Sequence, residues 1–209
     1  MQRIRLTYSK GEELRYTGNL DTHKVWERTF RRAEFPLAYS QGFHPQPKLN
    51  QACPLPLGFT SGCEILDFWL DIDMPPDEIK QRLSDTLQPG IEILDLQEVA
   101  LTLKPLQTRV ISAVYSMSIP QELSRPEILA RINHLLGMET CSRERRGKTY
   151  DLRPLIESIK VLENPDPMLE MRLMTRPGAT GRPEEVLEEL GISPVEVDIT
   201  RSALILAEE

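Results

Sequence analysis

The fold class is decided by two nearby stretches, Met1-Gln2-Arg3-Ile4-Arg5-Leu6-Thr7-Tyr8 and Thr22-His23-Lys24-Val25-Trp26-Glu27-Arg28-Thr29-Phe30-Arg31-Arg32-Ala33. In the first, Ile4, Leu6 and Tyr8 alternate with Arg3, Arg5 and Thr7, the period of a half-buried strand. In the second, Val25, Trp26, Thr29, Phe30 and Ala33 recur at helical spacing, with Asp21 placed as the N-cap. Lys24, Arg28, Arg31 and Arg32 fall on the opposite side of that helix, giving it one apolar and one basic face. A strand that hands over to an amphipathic helix opens an α+β unit.

Pro36 stops the helix, and Leu37-Ala38-Tyr39 reads as a short strand. Residues 41–62 hold four prolines and three glycines, which makes them a long, punctuated loop. Residues 65–70 read as a strand. Pro75-Pro76-Asp77-Glu78 opens a helix that runs to Gln88, where Pro89-Gly90 ends it. Residues 91–99 form another strand, so the order is β-α-β-β-α-β. The second half repeats it. Residues 110–119 alternate, Ser124-Arg125-Pro126-Glu127 is a capping box, and the following helix ends at Gly137. Two or three strands fall within 139–175, a helix runs from Pro183 to Gly191, and residues 195–206 close the half. The expected fold is α+β, with two ferredoxin-like βαββαβ units whose antiparallel sheets pack side by side. The expected N-terminal unit is 1–100, carrying the proline-rich loop 41–62. The C-terminal unit is 109–209, and 101–108, centred on Lys104-Pro105, is the linker.

Composition narrows the function classes. The hydrophobic fraction of 40% suits a globular core, and no apolar run reaches the roughly 18 residues of a membrane span. No signal-peptide region follows the start, so a cytoplasmic protein without membrane contact is expected. Cys53, Cys63 and Cys141 are scattered, with no CxxC and no His at ligand spacing, which reads as reduced thiols. The net charge of −7 argues against a dedicated nucleic-acid binder. It is unevenly spread, however: residues 1–48 carry +4 and 140–176 carry +2, against −7 over 49–139 and −6 over 177–209. Two local basic faces are therefore available to RNA: Lys24, Arg28, Arg31 and Arg32 on the helix, and Arg143, Arg145, Arg146 and Lys148 beside Tyr150. The helix face reads more often as a solvated surface, and the second cluster also reads as an edge strand guarded by charge.

The proline-stiffened loop gathers an imidazole (His44), an ammonium (Lys48), hydroxyls (Tyr39, Ser40, Ser61) and glycine amides (Gly42, Gly58). With Arg15, such a set could hold a phosphate or carboxylate. The alternative is a loop whose prolines lower unfolded-chain entropy and cover a sheet edge. Asp21, His44 and Lys48 are the candidate catalytic groups, expected to meet in a cleft formed as residues 39–48 fold back toward Arg15 and Asp21. The sequence holds no Gly-rich phosphate loop, HExxH, GxSxG or three-cysteine cluster motif, so no cofactor or metal is expected of the chain itself.

Arg15-Tyr16 through Leu20-Asp21, Glu27-Arg28, Arg31-Arg32-Ala33, the run Tyr39-Ser-Gln-Gly-Phe-His-Pro-Gln-Pro-Lys48 and Leu55-Pro-Leu-Gly58 with Ser61 resemble the radical SAM-linked family. This is a bacterial domain of unknown function, fused behind a radical SAM protein or encoded next to one. Thr149-Tyr-Asp-Leu-Arg-Pro-Leu-Ile156 and Arg182-Pro-Glu-Glu-Val-Leu187 look like its second-half motifs. One departure is visible, for Gly18-Asn19 stand where the family usually reads Ser-His. The resemblance implies a radical SAM partner that carries the radical chemistry. The expected role is an accessory or substrate-presenting module contacting RNA or a ribosome-linked substrate. The alternatives are a metal-independent RNA-cleaving or RNA-modifying enzyme using Asp21, His44 and Lys48, and a protein-interaction scaffold.

Overall fold

The computed structural model describes residues 1–163, 166–176 and 178–207, and the chain divides into two units, Met1–Arg109 and Val110–Glu209. The protein is mixed α+β, with helices α1 (Asn19–Arg32), α2 (Pro76–Ser84), α3 (Arg125–Gly137) and α4 (Pro183–Glu189). The first unit adds strands β1 (Gln2–Lys10), β2 (Leu49–Gln51), β3 (Thr60–Leu70) and β4 (Ile91–Val99). Within it, β1 pairs with β3 and β4, and β2 pairs with β3, all antiparallel, giving the order β4-β1-β3-β2.

Register explains which face carries the helices. Ile4 lies opposite Phe68 and Leu6 opposite Leu66, so one face is apolar on both strands. Trp26 and Phe30 of α1 and Ile79 and Leu83 of α2 pack on it, all fully buried. The aromatic contacts are close: Tyr8 meets Trp26 edge-on at 4.7 Å between ring centroids, and Phe30 meets Phe68 at 4.6 Å.

The opposite face of β1 is not the solvated one that its alternation suggests. Arg3 and Arg5 are buried around Asp67, which is 0% exposed. Arg3 donates to Asp67 Oδ2 at 2.6 and 3.0 Å, while Arg5 donates to Oδ1 at 2.8 Å and to Oδ2 at 2.9 Å. Arg3 also donates to the carbonyls of Leu103 and Lys104, which draws residues 101–108 onto this unit. Removing Asp67 would leave two buried guanidiniums without their shared carboxylate, a change of the class that costs about 3–5 kcal/mol.

Three local expectations are corrected. The N-cap of α1 is Gly18, not Asp21, which lies in the first turn. No side chain caps this end, and the Thr22 hydroxyl donates to the Gly18 carbonyl at 3.1 Å. Residues 37–39 form no strand, only the isolated bridges Leu37↔Leu70 and Tyr39↔Pro47, because Pro36 and Pro47 remove ladder donors on both sides. Finally, α2 stops at Ser84 rather than Gln88, its last turn closed by Thr86 N–H on the Leu83 carbonyl at 2.9 Å.

The second unit contains β5 (Val110–Ser118), the hairpin β6 (Ser142–Arg145) and β7 (Lys148–Asp151), then β8 (Ile156–Glu163), β9 (Pro167–Arg176), β10 (Ala179–Thr180) and β11 (Thr200–Leu206). Its order is β11-β5-β9-β8, again antiparallel throughout, with β10 folded onto the end of β9. Ala113, Tyr115 and Met117 lie opposite Leu173, Met171 and Leu169, and all six are buried. At the start of α3 the Glu127 carboxylate accepts the Ser124 amide at 2.9 Å and hydroxyl at 2.6 Å. Those bonds hold the Glu127 carboxyl below its ordinary pKa. Among the described residues, no helix is long and apolar enough to cross a membrane.

Candidate functional site

The first unit separates the expected site residues to two ends of one sheet. At the first end, Arg15 Nε donates to the Gly58 carbonyl at 2.8 Å and receives Gly58 N–H on its own carbonyl at 3.0 Å. Lys10 Nζ donates to the carbonyls of Arg15 at 3.2 Å and Phe59 at 3.1 Å, tying the segment before α1 to the start of β3. Ser61 is buried there, and its hydroxyl accepts Cys63 N–H at 3.2 Å. Asp21 stands exposed on the first turn of α1, 3.9 Å from Lys24 Nζ. Around this helix start, Tyr16 and Leu20 are each 77% exposed, and Leu57 is exposed beside Gly58.

Residues 39–48 leave from and return to the other end. Ala38 N–H donates to the Trp69 carbonyl at 2.8 Å, Lys48 N–H to Ala38 at 2.8 Å, and Trp69 N–H to Lys48 at 3.3 Å. From Ser61 to Trp69 the strand covers about 26 Å at roughly 3.3 Å per residue. His44 and Lys48 therefore do not converge with Asp21 and Arg15, contrary to the expected cleft. The physical reason is α1 itself, whose 14 residues carry the chain from one end of the sheet to the other before the loop begins.

The loop is nevertheless built. Ser40 N–H donates to the Gln46 carbonyl at 2.8 Å, and Gln46 N–H donates to Ser40 Oγ at 3.0 Å, closing a seven-residue ring of backbone. Gly42 sits at φ 131°, a conformation that a side chain would strain. Phe43 at the tip is 102% exposed, with exposed His44 beside it and Tyr39 half outside at the base. Lys48 is half-buried at the seam.

The two basic clusters differ in how much charge they leave available. On α1, Arg28 and Arg31 are exposed, and their side chains make no hydrogen bond or ion pair among the described residues. Arg32 donates to the Thr86 carbonyl at 2.8 Å and so closes the end of α2. In the hairpin, Arg143 is held by Glu188, by Glu189 at 3.1 Å and by the Glu185 carbonyl at 3.1 Å. Arg145 lies 3.9 Å from Glu185, which also accepts the Tyr150 hydroxyl. Burial and that carboxylate push the Tyr150 phenol well above its ordinary pKa. Arg146 occupies the turn at φ 49°, and Lys148 is exposed. The hairpin is thus clamped on α4 through Arg143, while Arg145 is only loosely paired. Cys141 is buried, and burial together with nearby Glu189 raises its thiol pKa, which keeps it protonated.

Sequence reasoning missed the exposed Tyr16, Leu20 and Leu57, because single exposed apolar residues carry no periodic signal. It also missed the pairing of Arg143 with α4. The run of acids at Glu184, Glu185, Glu188 and Glu189 was visible, but its place opposite the hairpin was not.

A comparison with the curated proteins finds no match. Among solved structures, a chain from the "Crystal Structure of a Cbf5-Nop10-Gar1 Complex" is similar over 97% of this chain, at 10% identity and a TM-score of 0.50. This chain spans 48% of that one, and the likeness is one of fold. Residues 3–183 match the family described as "uncharacterized protein conserved in bacteria (DUF2344)", and it is to this bacterial family that the chain belongs.

Proposed function

We propose that the protein is a cytoplasmic accessory module of a radical SAM enzyme, contacting RNA or a ribosome-linked substrate while the partner carries the radical chemistry. The radical SAM partner is what the resemblance of the Tyr39–Lys48 run implies. In this reading each unit is ferredoxin-like, supported by the matching orders β4-β1-β3-β2 and β11-β5-β9-β8. The observation that carries the accessory role is the loop: a closed, proline-stiffened ring holds Phe43 entirely in solvent. A rigid, unpacked aromatic loses little entropy on docking, which suits an anchor in a partner's pocket. Arg28 and Arg31, exposed on α1, are cations available to a phosphate backbone.

A second reading has its own observation. Asp21 is exposed next to Leu20 on the first turn of α1, and the exposed Tyr16 just before the helix offers a ring on which a base could stack, as an RNA-modifying site would require. The experiment that separates the two measures binding to the radical SAM partner and turnover of RNA in Phe43→Ala, His44→Ala and Asp21→Ala. The accessory reading expects Phe43→Ala and His44→Ala to weaken partner binding about tenfold or more while Asp21→Ala leaves it intact. RNA turnover by the isolated protein that Asp21→Ala abolishes would instead establish the second reading.

A further inference from the structure

The second unit holds a cleft of about 480 Å³ between the β6–β7 hairpin, β10 and the entry to α4. Three cations line it from three separate elements: Arg145 from β6, Lys148 from β7 and Arg182 from the N-cap of α4. The side chains of Lys148 and Arg182 make no hydrogen bond or ion pair among the described residues, and the Arg145 side chain has its 3.9 Å approach to Glu185. Asp151 lines the same cleft and Glu185 stands beside Arg145, each with hydrogen bonds of its own. Asp151 Oδ1 accepts the backbone N–H groups of Cys141 at 2.7 Å and Arg153 at 3.0 Å. Glu185 accepts the Tyr150 hydroxyl. Three cations against the one lining carboxylate leave the cleft net positive, and an anion placed among them is attracted.

We propose that this cleft binds a nucleoside phosphomonoester, either as a free nucleotide or as the 5′-phosphate end of an RNA. A phosphoryl group offers an oxygen to each of the three cations, one more than a carboxylate has. Two guanidinium forks and an ammonium suit the oxygens of a tetrahedral phosphoryl group. Thr149 and Thr180 add hydroxyls at the rim, while Tyr150, Leu155 and Ala179 supply an apolar wall for the sugar and base. The volume lies within the range of small-ligand sites. The choice of ligand rests on the RNA-contacting part of the proposed function, but the site does not depend on the loop or on α1.

The test titrates the full chain with four probes: inorganic phosphate, adenosine 5′-monophosphate, and one short oligoribonucleotide carrying either a 5′-phosphate or a 5′-hydroxyl. The 5′-phosphate form is expected to bind about tenfold tighter than the 5′-hydroxyl form, the value of one charge-assisted contact. Lys148→Gln and Arg182→Gln should each remove that preference, whereas Arg28→Gln should weaken both RNAs equally and keep it. Amide shifts of Thr149 and Thr180 on phosphate addition, followed by NMR in the unsubstituted protein, read the same site without any variant. Competition by adenosine 5′-monophosphate identifies a free nucleotide as the ligand, and its failure beside tight 5′-phosphate binding identifies an RNA end. Equal binding of both RNAs with no shift at Thr149 or Thr180 overturns the site, while leaving RNA contact through α1 standing. A preference that survives both substitutions also overturns it.

Discussion

Glu184, in the first turn of α4, carries a carboxyl group that burial pushes above its ordinary pKa, with Glu185 and Glu188 adding to the shift and Arg145 opposing it. Its Oε2 is buried without a hydrogen-bond partner among the described residues. A folded-state pKa above the unfolded one means that the fold favours the protonated acid. The ionised form therefore costs stability above the folded pKa, and that cost disappears as pH falls below the unfolded value of about 4.3. Glu184→Gln is expected to raise the denaturant midpoint at pH 8, with the gain narrowing steadily as pH is lowered toward about 4. Urea titrations at both ends of that range check it, and a gain independent of pH would contradict it. The same scale separates cations of one apparent kind. Arg143 and Arg28 look alike as letters, yet one is spent on two glutamates and the other faces solvent.

At the scale of the element, α1 ends in a Schellman motif: Phe35 N–H reaches the Phe30 carbonyl at 3.1 Å, and Glu34 N–H reaches Arg31 at 3.2 Å. The rings of Phe30 and Phe35 lie 5.7 Å apart, the apolar contact that accompanies such an end. Yet Glu34 occupies the left-handed position at φ 54°, where glycine is favoured. Glu34→Gly should stabilise the protein by about 1 kcal/mol, read as a higher urea midpoint with an unchanged slope. A loss of stability would show that the Glu34 side chain contributes more than its strained backbone costs. These helix ends also show what could be read in advance. The Ser124–Glu127 box spans three residues, so its meaning was complete in the sequence. The apolar half of β1 was equally legible. The burial of Arg3 and Arg5 was not, because Asp67 lies more than sixty positions away and nothing local announces it. Asp21 misled as a cap because Gly18, three positions earlier, could take the extended conformation with no side chain to signal it. The loop's residues were legible as a unit, but its location depended on which end of the sheet α1 delivers the chain to. Likewise Arg182 could not be grouped with Arg145 and Lys148 until β10 and α4 were placed beside the hairpin.

For the whole molecule, the two units share one sheet plan, in which the first strand lies between the third and the last. In the first unit β1 therefore needs β3 on one side and β4 on the other, and Arg3 needs the carbonyls of Leu103 and Lys104 as well. That arrangement has a consequence for biosynthesis. Translation delivers β1 first and its last neighbours roughly ninety residues later, a delay of about 5–20 s at ordinary elongation rates. For roughly the first two-thirds of that interval, until β3 emerges, Ile4, Leu6 and Tyr8 have no strand to pair with, and the guanidiniums of Arg3 and Arg5 have no carboxylate. Stalled nascent chains carrying an arrest peptide should generate little pulling force until Lys104 has left the exit tunnel, then a single sharp rise. A rise already at the emergence of β3 would mean that a two-strand intermediate folds first. The order of strands thus acts as a clock, keeping the growing polypeptide open to chaperones until the first unit is nearly complete.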